Sequence, residues 1–426
     1  MRAYIERWRS WFNAQPWSYR WILIIVLVRP FIDLLWFTKR YGILSPLQIT
    51  GALTILLSII YALRIKIGQQ KLLPFSFLIF ALLLLLNQML VLIEGTSVQG
   101  VGFFLRTIMP VILFVYLTRV VNTYDRFRGF LDTFLVASIF PIGMLLYESV
   151  ISPISYVPLA ESRGGGYRLT GFYADLFSYM SYVIGDLLIF GYLGVKAIVH
   201  HRRRVGYISI VAVLGIGVIA LFGLKHQASW GVFIFLISNF LFYIKGKKKG
   251  APYVVLIMLF MLVSSPFIFN TQLRALFSKE ISVYENKVAT ESALNGRIRR
   301  WERYFKTWSK TPNVTKLFGV GLSNLSHRDK VIMSSGGMHS DYVRFLFGTG
   351  VVGLSSLLIF YAVVFFKSMS LRKAERFFVV SAGVIMLMYG ITSNPFGSSG
   401  SLLILVMAGF SMALAKKTEI SRKKSA

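Results

Sequence analysis

Leu72-Leu-Pro-Phe-Ser-Phe-Leu-Ile-Phe-Ala-Leu-Leu-Leu-Leu-Leu-Asn-Gln-Met-Leu-Val-Leu-Ile93 carries no charged side chain and is bounded by Lys71 and Glu94. A helix needs about 20 mostly apolar residues to cross a bilayer, so this stretch reads as a membrane span. Similar runs recur at 21–37, 45–63, 101–121, 129–150, 174–199, 205–222, 227–244, 252–269, 345–367, 377–393 and the shorter 401–415. Together they predict about twelve transmembrane helices of roughly that length. Composition agrees: 426 residues, 55% hydrophobic and 15% charged, with mean hydropathy +0.64, do not describe a soluble globular chain. The expectation is an all-α polytopic membrane protein, one transmembrane helical domain over 1–426, with one large extracytoplasmic loop containing amphipathic helices.

Orientation follows from Lys and Arg in the short connections, because positive residues resist translocation. With the N-terminus inside, the cytoplasmic ends hold Arg2, Arg7 and Arg9, the runs Arg202 to Arg204 and Lys247 to Lys249, and the terminal Lys416, Lys417, Arg422, Lys423 and Lys424. The short outer connections hold only Lys39, Arg40, Arg163, Arg168 and Lys225. This bias accounts for most of the net charge of +30, and nucleic acid is rejected as a partner. The absence of Cys excludes disulfides, thiolate zinc sites and a Cys nucleophile. Residues 1–12, basic and aromatic, read as an interfacial helix feeding the first span rather than a cleavable signal peptide.

Residues 270–344 interrupt the spans with 13 Lys and Arg against 6 Asp and Glu. Long loops translocate largely regardless of charge, so this one is expected outside, as a catalytic loop. Within it Ser292 to Lys310 has helical period. Ile298, Trp301, Phe305 and Trp308 share one face, and Arg299, Arg303, Lys306 and Lys310 cluster opposite. The aromatic face is expected to lie on the bilayer. Arg297 and Arg300 fall nearer the aromatic side, with Tyr304, and are free of the solvated stripe. Leu317-Phe-Gly-Val-Gly-Leu322 matches neither a dinucleotide nor a P-loop fingerprint and reads as a loop bend.

A cationic loop at a membrane surface, carrying a His among several Arg, suits a lipid-linked anionic substrate. His339 precedes a helical entry, Ser340 to Gly353. A lone His is more often structural than catalytic, but an imidazole titrating near ~6.5 can take a proton from a sugar hydroxyl as general base. Arg168, Arg297, Arg300 and Arg344 are candidates for gripping phosphate oxygens, since guanidinium stays charged and binds bidentately. Arg106, inside the fourth span, is a costly charge and therefore functional or paired. Arg29 and Asp33 in the first span read as a structural ion pair. No HExxH, Asp-x-Asp or other ligand spacing occurs, so neither metal nor cofactor is expected. A glycosidase-like pair, Glu302 with Asp341, competes with simple ion pairing of Glu302 to its Arg neighbours.

Three stretches resemble the bacterial O-antigen ligase and O-antigen polymerase superfamily: Arg168-Leu-Thr-Gly-Phe-Tyr-Ala-Asp175; Gly296-Arg297 with Trp301, followed by Phe318-Gly-Val-Gly321; and His339-Ser-Asp-Tyr-Val-Arg-Phe-Leu-Phe-Gly-Thr-Gly-Val-Val-Gly353. The resemblance implies an inverting, metal-independent glycosyltransferase in the bacterial cytoplasmic (inner) membrane, with its active site on the extracytoplasmic face. An acceptor hydroxyl attacks the anomeric carbon and undecaprenyl diphosphate leaves. His339 maps onto the family's catalytic His, and Arg168 and Arg297 onto Arg that hold the diphosphate. Where many members carry a Ser-Arg-Gly-like segment, this chain has Leu224-Lys225-His226-Gln227-Ala228-Ser229, so Lys225 or His226 replaces that Arg as a cation, or the stretch is an ordinary polar turn.

The implied partners are an undecaprenyl-diphosphate-linked oligosaccharide, a glycan acceptor, membrane lipids, and polysaccharide-export or chain-length proteins. The leading expectation is a polymerase that adds the growing glycan to a lipid-linked repeat unit. A ligase transferring it to lipid A core or another surface acceptor uses the same chemistry. A flippase or transporter for lipid-linked oligosaccharide needs charges lining a path through the spans, and the few present lie partly near span ends.

Overall fold

The computed structural model describes residues 2–35, 38, 45–64, 75–93, 98–158, 167–173, 176–224, 226–245, 282–287, 289, 293–321, 340–393, 395–398 and 400–424. Helices dominate, as they must where hydrocarbon offers the backbone no hydrogen-bond partner. They are α1 (Arg2–Asn13), α2 (Trp17–Leu34), α3 (Pro46–Arg64), α4 (Phe75–Ile93), α5 (Val98–Val120), α6 (Tyr124–Val150), α7 (Leu176–Val199), α8 (Arg203–Leu224) and α9 (Gln227–Lys245). After these come α10 (Ala293–Ser309), α11 (Asn313–Phe318), α12 (Asp341–Ser368), α13 (Lys373–Thr392), the single turn α14 (Pro395–Ser398) and α15 (Gly400–Lys424).

Four helices, α6, α7, α12 and α13, are long and apolar enough to cross a membrane, and shorter apolar segments lie in α3, α4, α5, α8, α9 and α15. The chain is thus a multi-pass helical membrane protein. Every expected span except 252–269 coincides with a described helix, and 252–269 lies outside the described residues. Much of the loop 270–344 lies outside them too.

The centre of the bundle is α7, which is apolar on all sides and buried from Tyr179 through Val195 at nearly every position. It packs against α6, α8, α9, α13 and α15. At its first turns the segment 151–173 contains a short antiparallel hairpin. Its strands are β1 (Tyr156–Pro158) and β2 (Tyr167–Leu169), with Val157 opposite Arg168.

The expected ion pair in α2 is present: Arg29 Nε lies 2.7 Å from Asp33 Oδ1, and both side chains are nearly buried. Asp33 also accepts from the Tyr182 hydroxyl at 2.9 Å, and the Arg29 guanidinium lies against Gly400 at the start of α15. The pair therefore joins α2 to α7 and α15. Asp33→Asn keeps an acceptor for Tyr182 but removes the counter-charge of a buried guanidinium, and is expected to cost about 3 kcal/mol. Thermal unfolding in detergent measures it, and the Arg29→Met/Asp33→Leu double variant should recover much of the loss.

α12 is not one continuous helix. Gly350 has φ +68° and ψ −173°, which interrupts the helical ladder within the membrane-length segment. The backbone groups released there are not abandoned: Val320 N–H donates to Phe347 O at 2.9 Å and Gly321 N–H to Gly348 O at 3.0 Å. Broken backbone at membrane depth is tolerated where protein satisfies it, and here residues 317–321 do so. The Leu317–Gly321 stretch read as a loop bend is in fact a backbone strap. Gly319 sits at φ +81° and packs so close to Gly348 that a Cβ would strike the carbonyl.

Candidate functional site

One end of the bundle gathers the end of α2, the β-hairpin, the starts of α7, α9, α12 and α15, and the ends of α6, α8 and α13. Glu148, buried on the last turn of α6, accepts from Ser155 N–H at 3.1 Å and from the Tyr179 hydroxyl at 3.3 Å. Ser155 and Thr170 hydroxyls meet at 2.9 Å and close the base of the hairpin. Gly171 has φ +55°, and a Cβ there would lie 2.8 Å from the Tyr179 ring, so both backbone and space call for glycine. Tyr173 stacks on Tyr179, with ring centroids 5.1 Å apart. Burial, reinforced by the Asp33 carboxylate, holds the Tyr173 phenol above the usual range, so it stays neutral.

The N-terminus of α12 is pinned to the end of α13. Ser340 Oγ donates to Gly390 O at 3.0 Å, Asp341 N–H to Ser393 O at 3.2 Å, and the Tyr342 hydroxyl to Leu387 O at 2.8 Å. Asp341 is buried and accepts from Phe396 N–H at 2.9 Å. Phe396 also packs edge-on against Phe80 and Phe345, at 5.7 and 5.2 Å, which wedges α14 between α4 and α12. Asp341 is therefore a helix anchor. Glu302, the other member of the glycosidase-like pair, is exposed on α10.

The sequence candidates divide as follows. His339 and Lys225 lie outside the described residues, although Ser340, which follows His339, is held as described above. The Arg168 backbone is fixed in β2 opposite Val157, and Arg106 lies on α5; their side chains are outside the description. Arg344 is half-buried one turn beyond Asp341. Arg297 and Arg300 are half-buried on α10, on the face that carries the fully buried Tyr304. Tyr304 meets Phe347 edge-on at 5.7 Å, so this face docks on the α12 segment that bears Arg344.

The buried stripe of α10 is rotated from the expected one. Trp301, Tyr304 and Trp308 are covered with Arg297 and Arg300, while Phe305 is exposed along with Arg299, Arg303 and Lys306. Tertiary docking on α12, rather than the bilayer alone, selects the face.

His226, which the sequence offers as a cation or as part of an ordinary polar turn, is half-buried just before α9. Its Nδ1 lies 2.7 Å from Ser229 Oγ, which lies 2.8 Å from the Tyr389 hydroxyl. Phe177, on the first turn of α7, packs on Tyr389 at 4.9 Å. Sequence reading missed Ser229 and Tyr389. The only signal was local, because a Ser three residues after a His at a helix start can reach back to it.

The described residues thus form a polytopic helical bundle with Arg344, Arg297, Arg300 and His226 half-buried near helix ends. Residues 197–358 match a family model described as O-antigen ligase, so this part of the chain is similar to that family. A search of curated proteins finds no match. The matched stretch runs from the end of α7 into α12 and includes Lys225, His226, Arg297, Arg300, His339 and Arg344; Arg106 and Arg168 precede it.

Proposed function

We propose that this protein is a polysaccharide polymerase of the bacterial inner membrane, moving a growing glycan from undecaprenyl diphosphate to a lipid-linked repeat unit on the outer face. The observation that carries glycosyl transfer is the O-antigen ligase match, which encloses His339 and most of the candidate cations in one stretch. The helix ends described above form the outer surface, as the distribution of positive charge in the short connections implies.

In the reaction, His339 accepts the proton of the acceptor hydroxyl as its oxygen attacks the anomeric carbon. The new glycosidic C–O bond forms with inversion while the bond to the diphosphate breaks. Undecaprenyl diphosphate departs with the bonding electrons, and Arg297, Arg300, Arg344, Arg168 and Arg106, with Lys225 and His226, stabilise the charge it gains. Membrane lipids and export or chain-length proteins complete the proposed partners.

The lean toward a polymerase rests on Lys225-His226 standing where many members carry Ser-Arg. The description of the matched family favours the second reading, a ligase that delivers the glycan to lipid A core. Liposomes containing the enzyme and undecaprenyl-diphosphate oligosaccharide, offered either acceptor, separate the two. A ladder of lengthened lipid-linked product is expected; product on lipid A core alone would favour the ligase. In the same assay Arg297→Lys keeps the charge but loses the guanidinium fork. It is expected to reduce kcat/KM for the donor about tenfold, the effect of one charge-assisted hydrogen bond.

A further inference from the structure

The last turns of α13 serve two histidine-bearing segments at once. Tyr389 is fully buried, and its ring lies nearly parallel to that of His226 with centroids 6.0 Å apart. Its hydroxyl meets Ser229 Oγ, and Ser229 Oγ meets His226 Nδ1. The next residue, Gly390, accepts from Ser340, the neighbour of His339 in the chain. A Cβ on Gly390 would sit 3.3 Å from the Tyr342 ring, so this turn is tightly seated.

Either hydroxyl of the Tyr389–Ser229 pair can donate, and the direction in which the phenol gives its proton to the serine is the one that satisfies Tyr389 as a buried donor. A phenol has one proton to donate, and the hydrogen-bond partner of Tyr389 among the described residues is Ser229 Oγ. With that oxygen accepting from Tyr389, the serine proton is directed to His226 Nδ1. A ring nitrogen that accepts a hydrogen bond carries no proton, so the neutral imidazole holds its proton on Nε2.

We infer that Tyr389 and Ser229 are positioning residues that lock His226 in the Nε2–H tautomer, so that His226 meets the lipid diphosphate as an uncharged donor of fixed direction. It does not then act as the replacement cation that the sequence suggests. The inference rests on the glycosyl-transfer reading for its ligand. Physically, a neutral N–H contributes a hydrogen bond to a phosphate oxygen without the desolvation cost of another buried charge.

The test uses the full chain in nanodiscs with ¹⁵N-labelled histidine, the His226 signals being assigned by their loss in His226→Gln. Wild type is expected to show the Nε2-protonated neutral tautomer, and Tyr389→Phe, which keeps the ring and its packing, to lose that bias; Ser229→Ala should lose it further. In liposomes Tyr389→Phe is expected to raise KM for undecaprenyl-diphosphate oligosaccharide about two- to tenfold with kcat little changed, the range of one net hydrogen bond. It should add nothing in a His226→Gln background, as members of one network do not act independently. An active wild type whose His226 tautomer and KM are untouched by Tyr389→Phe would overturn the relay. A wild type that transfers no glycan to either acceptor would overturn the functional reading instead.

Discussion

His339→Ala is expected to lower glycan transfer by about 10²- to 10⁴-fold, the usual contribution of a positioned general base. In the proposed reaction the acceptor is a sugar hydroxyl, which is a poor nucleophile until its proton is taken. The arginines proposed to hold the leaving group cannot accept that proton, since arginine remains charged at any working pH. The residue after His339 is held on both sides, by the Ser340 bond to Gly390 and the Asp341 bond to Ser393, so loss of the imidazole should leave the fold unchanged. The comparison that isolates chemistry is His201→Ala, since His201 sits in the turn between α7 and α8, at the other end of α7 from the hairpin. Turnover in the reconstituted assay should be near wild type for His201→Ala and nearly absent for His339→Ala. Product lengthening at the wild-type rate in His339→Ala would remove the base assignment.

Gly350→Ala is expected to destabilise the protein by about 4 kcal/mol, combining the strain of a non-glycine residue at positive φ with overpacking. Gly350 has φ +68°, and a Cβ there would fall inside contact distance of the Leu317 carbonyl and the Phe318 nitrogen. Those are backbone atoms, so no rotamer change relieves the clash. Either the strap at 317–321 lifts or α12 straightens, and in both cases Val320 N–H and Gly321 N–H lose Phe347 O and Gly348 O. Gly215→Ala on α8 is the control. A Cβ there meets nothing within 4 Å, and the change should be neutral or stabilising by up to about 1 kcal/mol. Thermal unfolding in detergent compares them. Equal midpoints for the two variants would mean that the close approach of the strap does not support the native state.

What the sequence announced and what it concealed have different physical origins. The apolar helices were legible because a hydrocarbon environment imposes length and apolarity on each segment separately, as in Phe75 to Ile93. The Arg29–Asp33 pair was legible because its partners are one helical turn apart. The break in α12 was not: Gly348-Thr349-Gly350 looks like any glycine-containing span until Leu317 to Gly321 is brought against it. The relay from Tyr389 through Ser229 to His226 joins residues 160 positions apart, and no local pattern marks it. The rotation of α10 has the same cause. Periodicity identified an amphipathic helix, but Phe347 on another helix decided that Tyr304, rather than Phe305, would be covered.

The amphipathic helix α1 is bolted to the start of α6. Trp11 Nε1 donates to Asp125 Oδ2 at 2.9 Å and the Trp11 ring lies over Gly129, while from the first turn of α2 the Tyr19 hydroxyl donates to Arg126 O. This attachment fixes the amphipathic helix to the first turns of α6. α6 has 27 residues. At 1.5 Å per residue its axis is about 40 Å long, against about 30 Å of hydrocarbon. A membrane-crossing α6 therefore has turns to spare beyond the oil, and the last of them carries Glu148.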